Sequence, residues 1–140
     1  MLIYERQKGF TLVELLVVLA ILALLAGLVG PRVLNQLSGA KSDTAKVQIR
    51  DLEQAAEMFK LDTGRFPSND EGLRALVQNP GNLPGWNGPY LRRSEVPMDP
   101  WNHPYRYRNP GEHSEIDIFT YGANGEEGGE GENATVGNWH

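Results

Sequence analysis

The sequence predicts an α+β fold in which one long N-terminal helix packs on a small antiparallel sheet of about three strands. Residues 10–29 form a continuous apolar run, and residues 45–59 keep apolar side chains at helical spacing. The second half of the chain alternates short strand-like segments with turns rich in Gly, Pro and Asn. We therefore expect helix before residue 64 and a small globular domain over residues 65–140.

The apolar run predicts a membrane-spanning helix over residues 10–30. From Phe10 to Val29 it has one ionisable side chain, Glu14. A helix of this length covers about 30 Å, the thickness of the bilayer hydrocarbon. A secretory signal peptide is the alternative, but it has a shorter apolar core with a small-x-small cleavage site after it. Arg6 and Lys8 precede the span, which predicts a cytoplasmic N-terminus and an outward C-terminal domain.

The net charge and the absence of cysteine argue against some classes of function. The chain has 140 residues and a net charge of -5. Residues 1–9 contain Glu5, Arg6 and Lys8 and so carry +1, which leaves -6 on a chain that starts at Phe10. This charge argues against a nucleic-acid partner. Cysteine is absent, which excludes a disulfide frame and thiol chemistry.

Catalytic motifs find no support in the sequence. The histidines are His103, His113 and His140, and their spacing is not that of metal ligands. We find no Ser-His-Asp pattern and no phosphate-binding loop in its strand-to-helix setting. The sequence therefore predicts a protein that is not an enzyme.

The outer half of the long helix is predicted over residues 31–64. Pro31 cannot donate to the carbonyl of Gly27, so we expect the helix to kink or loosen there. Gly64 is the expected residue just past the C-terminus, with Pro67 beyond it. Five apolar residues recur at steps of four and three and predict one buried face: Ala45, Ile49, Leu52, Ala56 and Phe59.

The domain after the helix has short elements. Residues 68–71 are a capping-box pattern that predicts a short helix through Val77. Strands are expected at Tyr105–Arg108 and Ile116–Tyr121, joined by a turn at residues 109–112, and a further short strand is expected to start at Tyr90 and Leu91. The predicted core consists of Phe59, Leu73, Leu76, Tyr105, Ile116 and Phe119.

These stretches carry a resemblance to a known family. The start, residues 9–18, resembles the N-terminus of type IV pilins and pseudopilins. Residues 59–68 resemble the pattern Y-K-L-D-N-x-x-Y-P-T of the major pseudopilins of type II secretion systems. Residues 71–77 resemble their Q-G-L-E-A-L-V, and residues 99–105 resemble D-P-W-G-N-P-Y. The likeness extends from Lys8 to the terminal Gly137-Asn138-Trp139 and implies a type IV pilin-like fold.

The resemblance implies processing at the N-terminus. In the family, a membrane prepilin peptidase cuts after the glycine, here Gly9, and methylates the new N-terminus, here Phe10. The leader, residues 1–9, is then lost. Glycine suits a tight active site because it has no side chain, although Gly9 could also be a simple turn before the span. In assembled filaments the resemblance implies that the helix loosens from about Ala23 to Pro31.

Glu14 is the sharpest candidate for an assembly role. A carboxylate inside an apolar helix is costly, so its presence suggests a function. We expect Glu14 to pair with the amine of Phe10 on the next subunit, because an unpaired charge in low dielectric is penalised. The alternative is that Glu14, near the helix start, reaches the headgroup layer and has no role.

Residues 122–137 resemble the calcium loop of the family, but with changes. Asn124 stands where the family has an aspartate, and Asn133 and Thr135 stand at the positions of its D-A-D group. Calcium takes six to eight oxygens, several of them carboxylate, which makes binding here doubtful. The alternative is an acidic, Gly-rich loop that subunit contacts order. The candidate ligands are Gly122, Asn124, Glu130, Glu132, Asn133 and Thr135, and no other cofactor is expected.

Three functions remain open at this point. The resemblance implies the major subunit of a type II secretion pseudopilus in the bacterial inner membrane, with its C-terminal domain in the periplasm. Its implied partners are further copies of itself, minor pseudopilins at the tip, the prepilin peptidase, membrane lipid, and an inner-membrane platform with its ATPase. A surface pilin is the second possibility, although such pilins often carry a disulfide loop. A membrane-anchored enzyme or binding module is the third.

Overall fold

The computed structural model describes residues 9–140, so all of the predicted leader except Gly9 lies outside the described residues. One helix, α1, covers Leu12–Thr63, and three strands follow it: β1 (Arg106–Arg108), β2 (Asp117–Thr120) and β3 (Val136–Gly137). Two single 3-10 turns occupy Leu73–Leu76 and Gly131–Asn133. The chain divides into two compact units, Met1–Leu37 and Ser38–His140, and α1 runs through both.

The helix is continuous across Pro31, in agreement with the single long helix that the sequence predicts, and the kink or loosening expected at Pro31 stays a prediction. A proline removes one backbone donor, and in this helix the residues on both sides keep helical geometry despite that loss. The loosening expected in assembled filaments is a separate matter and stays a prediction.

Within the second unit, α1 buries the face that its spacing predicts. All five residues of that face are buried, and Ala55 joins them. The helix ends at Thr63, and Gly64 follows it as predicted, with a φ of 88°. The Gly64 N–H donates to the carbonyl of Lys60 at 2.7 Å, which closes the last turn. Hydrophobic periodicity and one glycine thus determine both the orientation and the end of this segment.

The short helix predicted from Ser68 to Val77 is wrong in type and length. The capping box itself forms, because Ser68 Oγ accepts the Glu71 N–H at 3.2 Å and Glu71 Oε1 accepts the Ser68 N–H at 2.8 Å. Gly72 then takes a φ of 63° and a ψ of -166°, which no α-helix allows. Only the 3-10 turn Leu73–Leu76 follows, and it still buries Leu73 and Leu76.

The three strands form an antiparallel sheet in the order β1-β2-β3. Arg106 pairs with Phe119 across β1 and β2, and Phe119 pairs with Gly137 across β2 and β3. The strand expected at Tyr90 and Leu91 is wrong. Tyr90 lies in a loop, where its N–H donates to Leu76 O at 2.7 Å and its hydroxyl donates to Asp62 Oδ2 at 2.8 Å.

One core holds the second unit together, and it contains side chains of α1 between Ala45 and Phe59, of the first 3-10 turn and of the sheet. Each of the six predicted core residues is buried. Tyr90 contributes from its loop, because its ring meets that of Phe59 edge to face with 6.0 Å between centroids. The core thus attaches the sheet and its loops to the helix.

Candidate assembly and ion-binding sites

The start of α1 has a side-chain cap that the sequence reasoning missed. Thr11 Oγ1 accepts the N–H of Glu14 at 3.1 Å, and the Thr11 carbonyl accepts the N–H of Leu15 at 3.2 Å. A threonine three residues before a glutamate was the available signal. Because Thr11 occupies the cap, Gly9 and Phe10 lie before the helix, and the Phe10 side chain is exposed.

Glu14 lies in the first turn of α1, with its side chain exposed in the single chain. A negative charge is favourable there, because the unpaired N–H groups of the first turn carry partial positive charge. Among residues 9–140, Glu14 takes part in no ion pair.

The first half of α1 contains a long, exposed apolar segment. An 18-residue window of the helix has a mean hydropathy of 3.0, and none of it is buried. Length and composition thus allow the helix to cross a membrane. Such a surface needs lipid or other apolar helices around it, because exposed apolar area in water is costly.

Residues 122–135, hereafter the C-terminal loop, follow β2. Gly122 has a φ of 84°, and the N–H of the next residue, Ala123, donates to Glu132 O at 2.9 Å. Asn124 Oδ1 accepts the Glu126 N–H at 3.2 Å, which makes a small turn within the loop. The 3-10 turn Gly131–Asn133 then leads to β3. The loop therefore joins two neighbouring strands of the sheet.

The donor set of the C-terminal loop does not fit calcium. Within residues 9–140 no three His, Cys, Asp or Glu side chains come together as a group that could hold a metal ion. The side-chain oxygen of Asn124 already accepts a backbone N–H. The loop has four glutamates, Glu126, Glu127, Glu130 and Glu132, but none of them joins two further His, Cys, Asp or Glu side chains in such a group.

The base of the C-terminal loop is tied to Asp99, which the sequence suggested only as part of a turn. Asp99 is buried, and its Oδ1 accepts the N–H groups of Trp101 at 3.0 Å and His103 at 2.7 Å. The Thr120 hydroxyl donates to Asp99 Oδ2, and Thr120 Oγ1 accepts the N–H of Gly122 at 3.2 Å. One carboxylate therefore connects the turn 99–104, strand β2 and the start of the loop.

The histidines have packing partners. The His113 ring stacks on Trp139 with 4.2 Å between centroids, and His140 Nδ1 accepts the N–H of Gly137 at 3.0 Å. The His103 ring lies against Gly125 of the C-terminal loop. Each histidine thus contributes to the packing of a turn or a chain end.

Comparison with known families gives the class first. Residues 5–30 match the model of the prokaryotic N-terminal methylation motif. Together with the exposed apolar segment of α1 and the small sheet domain, this match defines a pilin-like protein.

Residues 32–139 match the model described as type II secretion system (T2SS), protein G. The chain belongs to this family. It is 45% identical over 139 residues to the type II secretion system core protein G of Vibrio cholerae, covering 97% of this chain and 94% of that protein. It is 43% identical to the protein of the same name from Pseudomonas aeruginosa, with 96% of each chain covered.

A solved structure shares the fold. The crystal structure of the major pseudopilin from the type 2 secretion system of enterohaemorrhagic Escherichia coli has a TM-score of 0.64 and 35% sequence identity to this chain. The match covers 74% of this chain and 87% of that one. The predicted α+β, type IV pilin-like fold is therefore confirmed.

Proposed function

We propose that this chain is the major structural subunit of a type II secretion pseudopilus, a filament that helps to drive folded exoproteins through the outer-membrane secretin. One observation carries the proposal: the methylation motif on residues 5–30 and the protein G match on residues 32–139 occur in a single chain. Relatives that carry the core protein G name align over nearly all of its length. A structural subunit of this kind is not an enzyme.

The exposed apolar half of α1 supports assembly from a membrane store. Before assembly, residues 10–30 lie in the lipid of the inner membrane, where their side chains replace water contacts with hydrocarbon. After assembly, the same side chains contact the helices of neighbouring subunits. The apolar surface is kept out of water in both states. Transfer from lipid to filament therefore costs little hydrophobic free energy.

Processing prepares the subunit for this transfer. Cleavage after Gly9 removes the leader and creates an amine at Phe10, which the peptidase methylates. Because Thr11 caps α1, the new amine lies just outside the helix rather than within its hydrogen bonds. The amine of one subunit then pairs with Glu14 of the next and sets the axial register of the two helices.

Positive charge before the span supports the topology. Arg6 and Lys8 precede it and keep the N-terminus in the cytoplasm, and residues 31–140 then lie in the periplasm. Within that part we assign residues 31–64 to the outer half of the helix and residues 65–140 to the globular domain. The remaining partners are minor pseudopilins at the tip, the prepilin peptidase, and the assembly platform with its ATPase.

A surface pilus subunit is the second candidate, because the methylation motif is shared by the wider class of pilin-like proteins. The protein G match over residues 32–139 favours the pseudopilus instead. The absence of cysteine agrees, since surface pilins often carry a C-terminal disulfide loop.

Deletion and complementation in the host bacterium test the proposal. We expect deletion to leave exoproteins in the periplasm and to leave surface fibres unchanged, and we expect the wild-type gene to restore export. Gly9→Leu should not restore export, because the leader stays attached. Gly39→Ala is the matched control, since an added methyl group there meets no atom within 4 Å. Normal export together with loss of surface fibres in the deletion strain would favour the second candidate.

A further inference from the structure

The C-terminal loop closes on itself through its backbone. The Ala123 N–H donates to Glu132 O at 2.9 Å. A methyl group added at Gly122 would lie 2.5 Å from Glu132 O and 3.0 Å from Ala134 O. Only a glycine allows the two sides of the loop to approach this closely, and its φ of 84° is one that other residues rarely adopt.

The far part of the loop is closed in the same way. Within the 3-10 turn, Asn133 N–H donates to Glu130 O at 3.0 Å and Ala134 N–H donates to Gly131 O at 3.2 Å. At Gly129 an added methyl group would meet Asn133 O at 2.1 Å. The carbonyl oxygens of Glu130, Gly131 and Glu132 thus each accept a backbone N–H from within the loop, so the loop forms its own backbone hydrogen bonds.

The His103 ring lies beside the C-terminal loop, at Gly125. The pattern D-P-W-G-N-P-Y has an asparagine where this chain has His103. The imidazole ring packs on Gly125, and a methyl group added there would lie 3.4 Å from its Cε1. The ring Nδ1 lies 3.8 Å from Asp99 Oδ2, which is beyond hydrogen-bond distance, so the bond between the two residues is the one from the His103 N–H to Asp99 Oδ1 at 2.7 Å. Asp99 in turn holds the N–H of His103 and, through Thr120, the N–H of Gly122.

We propose that the C-terminal loop of this chain is held closed by its own backbone and by the Asp99–His103 contact, and that its fold does not depend on calcium. Asn124, Asn133 and Thr135 carry no charge at the positions that resemble the family's calcium loop, and the four glutamates of the loop do not come together as a group that could hold a metal ion within residues 9–140. His103 lies against the loop from outside. The inference concerns folding, so it stands apart from the role in secretion.

Thermal unfolding of the full chain in detergent micelles tests the proposal, with tryptophan fluorescence as the signal from the second unit. We expect the Tm to be the same, within about 1 °C, in EDTA and in about 10 mM calcium. This calcium concentration is about ten times the dissociation constant of the weakest extracellular calcium sites. A rise of several degrees in calcium, absent with magnesium, would overturn the proposal.

A triple variant supplies the positive control. Asn124→Asp, Asn133→Asp and Thr135→Asp together restore the carboxylates of the family pattern, and we expect this variant to gain a calcium-dependent rise in Tm that the wild type lacks. The paired control Glu126→Gln and Glu127→Gln changes exposed loop charges elsewhere and should leave the Tm unresponsive to calcium.

His103→Asn tests the supporting contact, and the family pattern itself shows that asparagine is tolerated at this position. We expect the Tm to fall by about 2–5 °C, equally with and without calcium, because the ring contact is lost in both conditions. An unchanged Tm, or a loss that calcium reverses, would contradict the role given to His103.

Discussion

Arg65 and Glu71 form a two-point ion pair next to the end of α1. Arg65 Nη1 lies 2.6 Å from Glu71 Oε1, and Arg65 Nη2 lies 3.1 Å from Glu71 Oε2. The same carboxylate accepts the Ser68 N–H. The hydrogen bond from Arg65 is the main cause that lowers the pKa of Glu71 to about 2, and the Ser68 bonds add to it against the opposing effect of burial.

This pair predicts a loss of stability in acid. The folded pKa of Glu71 lies below its unfolded value, so its contribution is complete above about pH 4.5 and falls away between about pH 4.5 and pH 2. Arg65 is nearly half exposed, so solvent screening limits the contribution to about 1–2 kcal/mol. We expect Glu71→Gln to lower the free energy of unfolding by this amount at pH 7 and to flatten its pH dependence below pH 4.5, measured by urea unfolding.

Lys60 and Glu115 supply the control for that measurement. Their ion pair has a similar distance of 2.8 Å, but Glu115 is 68% exposed and Lys60 is 42% exposed. Glu115→Gln should therefore change the free energy of unfolding by less than about 0.5 kcal/mol. Equal losses in the two variants would show that the geometry around Glu71 has no special effect.

Replacement of Asp117 is expected to cause a second and larger loss of stability. It is buried, which by itself raises a carboxyl pKa, yet N–H donors of residues 112–114 and the charge of Arg108 lower its pKa overall. The Glu112 N–H donates to Asp117 Oδ2 at 2.8 Å, and Arg108 Nη2 lies 3.2 Å from the same oxygen. We expect Asp117→Ala to cost about 3–5 kcal/mol, because Arg108 and three backbone donors lose their acceptor.

Glu112→Gln is the comparison for Asp117, because Glu112 pairs with the same guanidinium at 3.1 Å but is mostly exposed. Glu112→Gln should lower the free energy of unfolding by less than about 1 kcal/mol in the same urea experiment. Equal losses of stability in Asp117→Ala and Glu112→Gln would show that the Arg108 guanidinium, rather than the buried carboxylate, stabilises the turn between β1 and β2.

The face of α1 inside the second unit gives a third prediction. Leu52 is fully buried, whereas Leu61 on the same helix is 78% exposed. Leu52→Ala should reduce the free energy of unfolding by about 2–5 kcal/mol through lost burial and the cavity it leaves. Leu61→Ala should stay within about 0.5 kcal/mol. A large loss at Leu61 would show that the chain is measured in an assembled form, in which this side chain is covered.

These contacts explain how far the sequence alone could predict the structure. The buried face of α1 and its end at Gly64 depend on local spacing and on one backbone conformation, so both were predictable. The third strand, Val136–Gly137, has two residues and therefore no alternating pattern to detect. Gly72 stopped the expected short helix, although the capping box before it formed.

The role of Asp99 was hidden for a different reason. The pattern around it indicated a turn correctly, but its link to Thr120 joins residues 21 positions apart, and local sequence does not show such a contact. The same holds for His103 and Gly125, which meet only after the sheet brings the turn and the C-terminal loop together. Local signals thus predict elements, whereas the contacts that hold the loop depend on the assembled fold.

The last prediction concerns Glu14, whose side chain can be changed without loss of the cap on α1. Glu14→Ala keeps the bond from its backbone N–H to Thr11 Oγ1, so the helix start and membrane insertion should be unchanged. We expect filaments to disappear, because the amine of the neighbouring subunit loses its partner in low dielectric. Insertion is measured by carbonate extraction of membranes, and assembly by shearing and electron microscopy.

Thr11→Val separates pairing from capping. It removes the cap, which costs about 1 kcal/mol at one helix end, but leaves the carboxylate of Glu14 in place. If the ion pair between subunits sets the register, Thr11→Val should still assemble while Glu14→Ala and Glu14→Gln do not. Failure of Thr11→Val together with normal filaments from Glu14→Gln would assign the defect to the helix start instead, since the glutamine has no charge to pair with the amine.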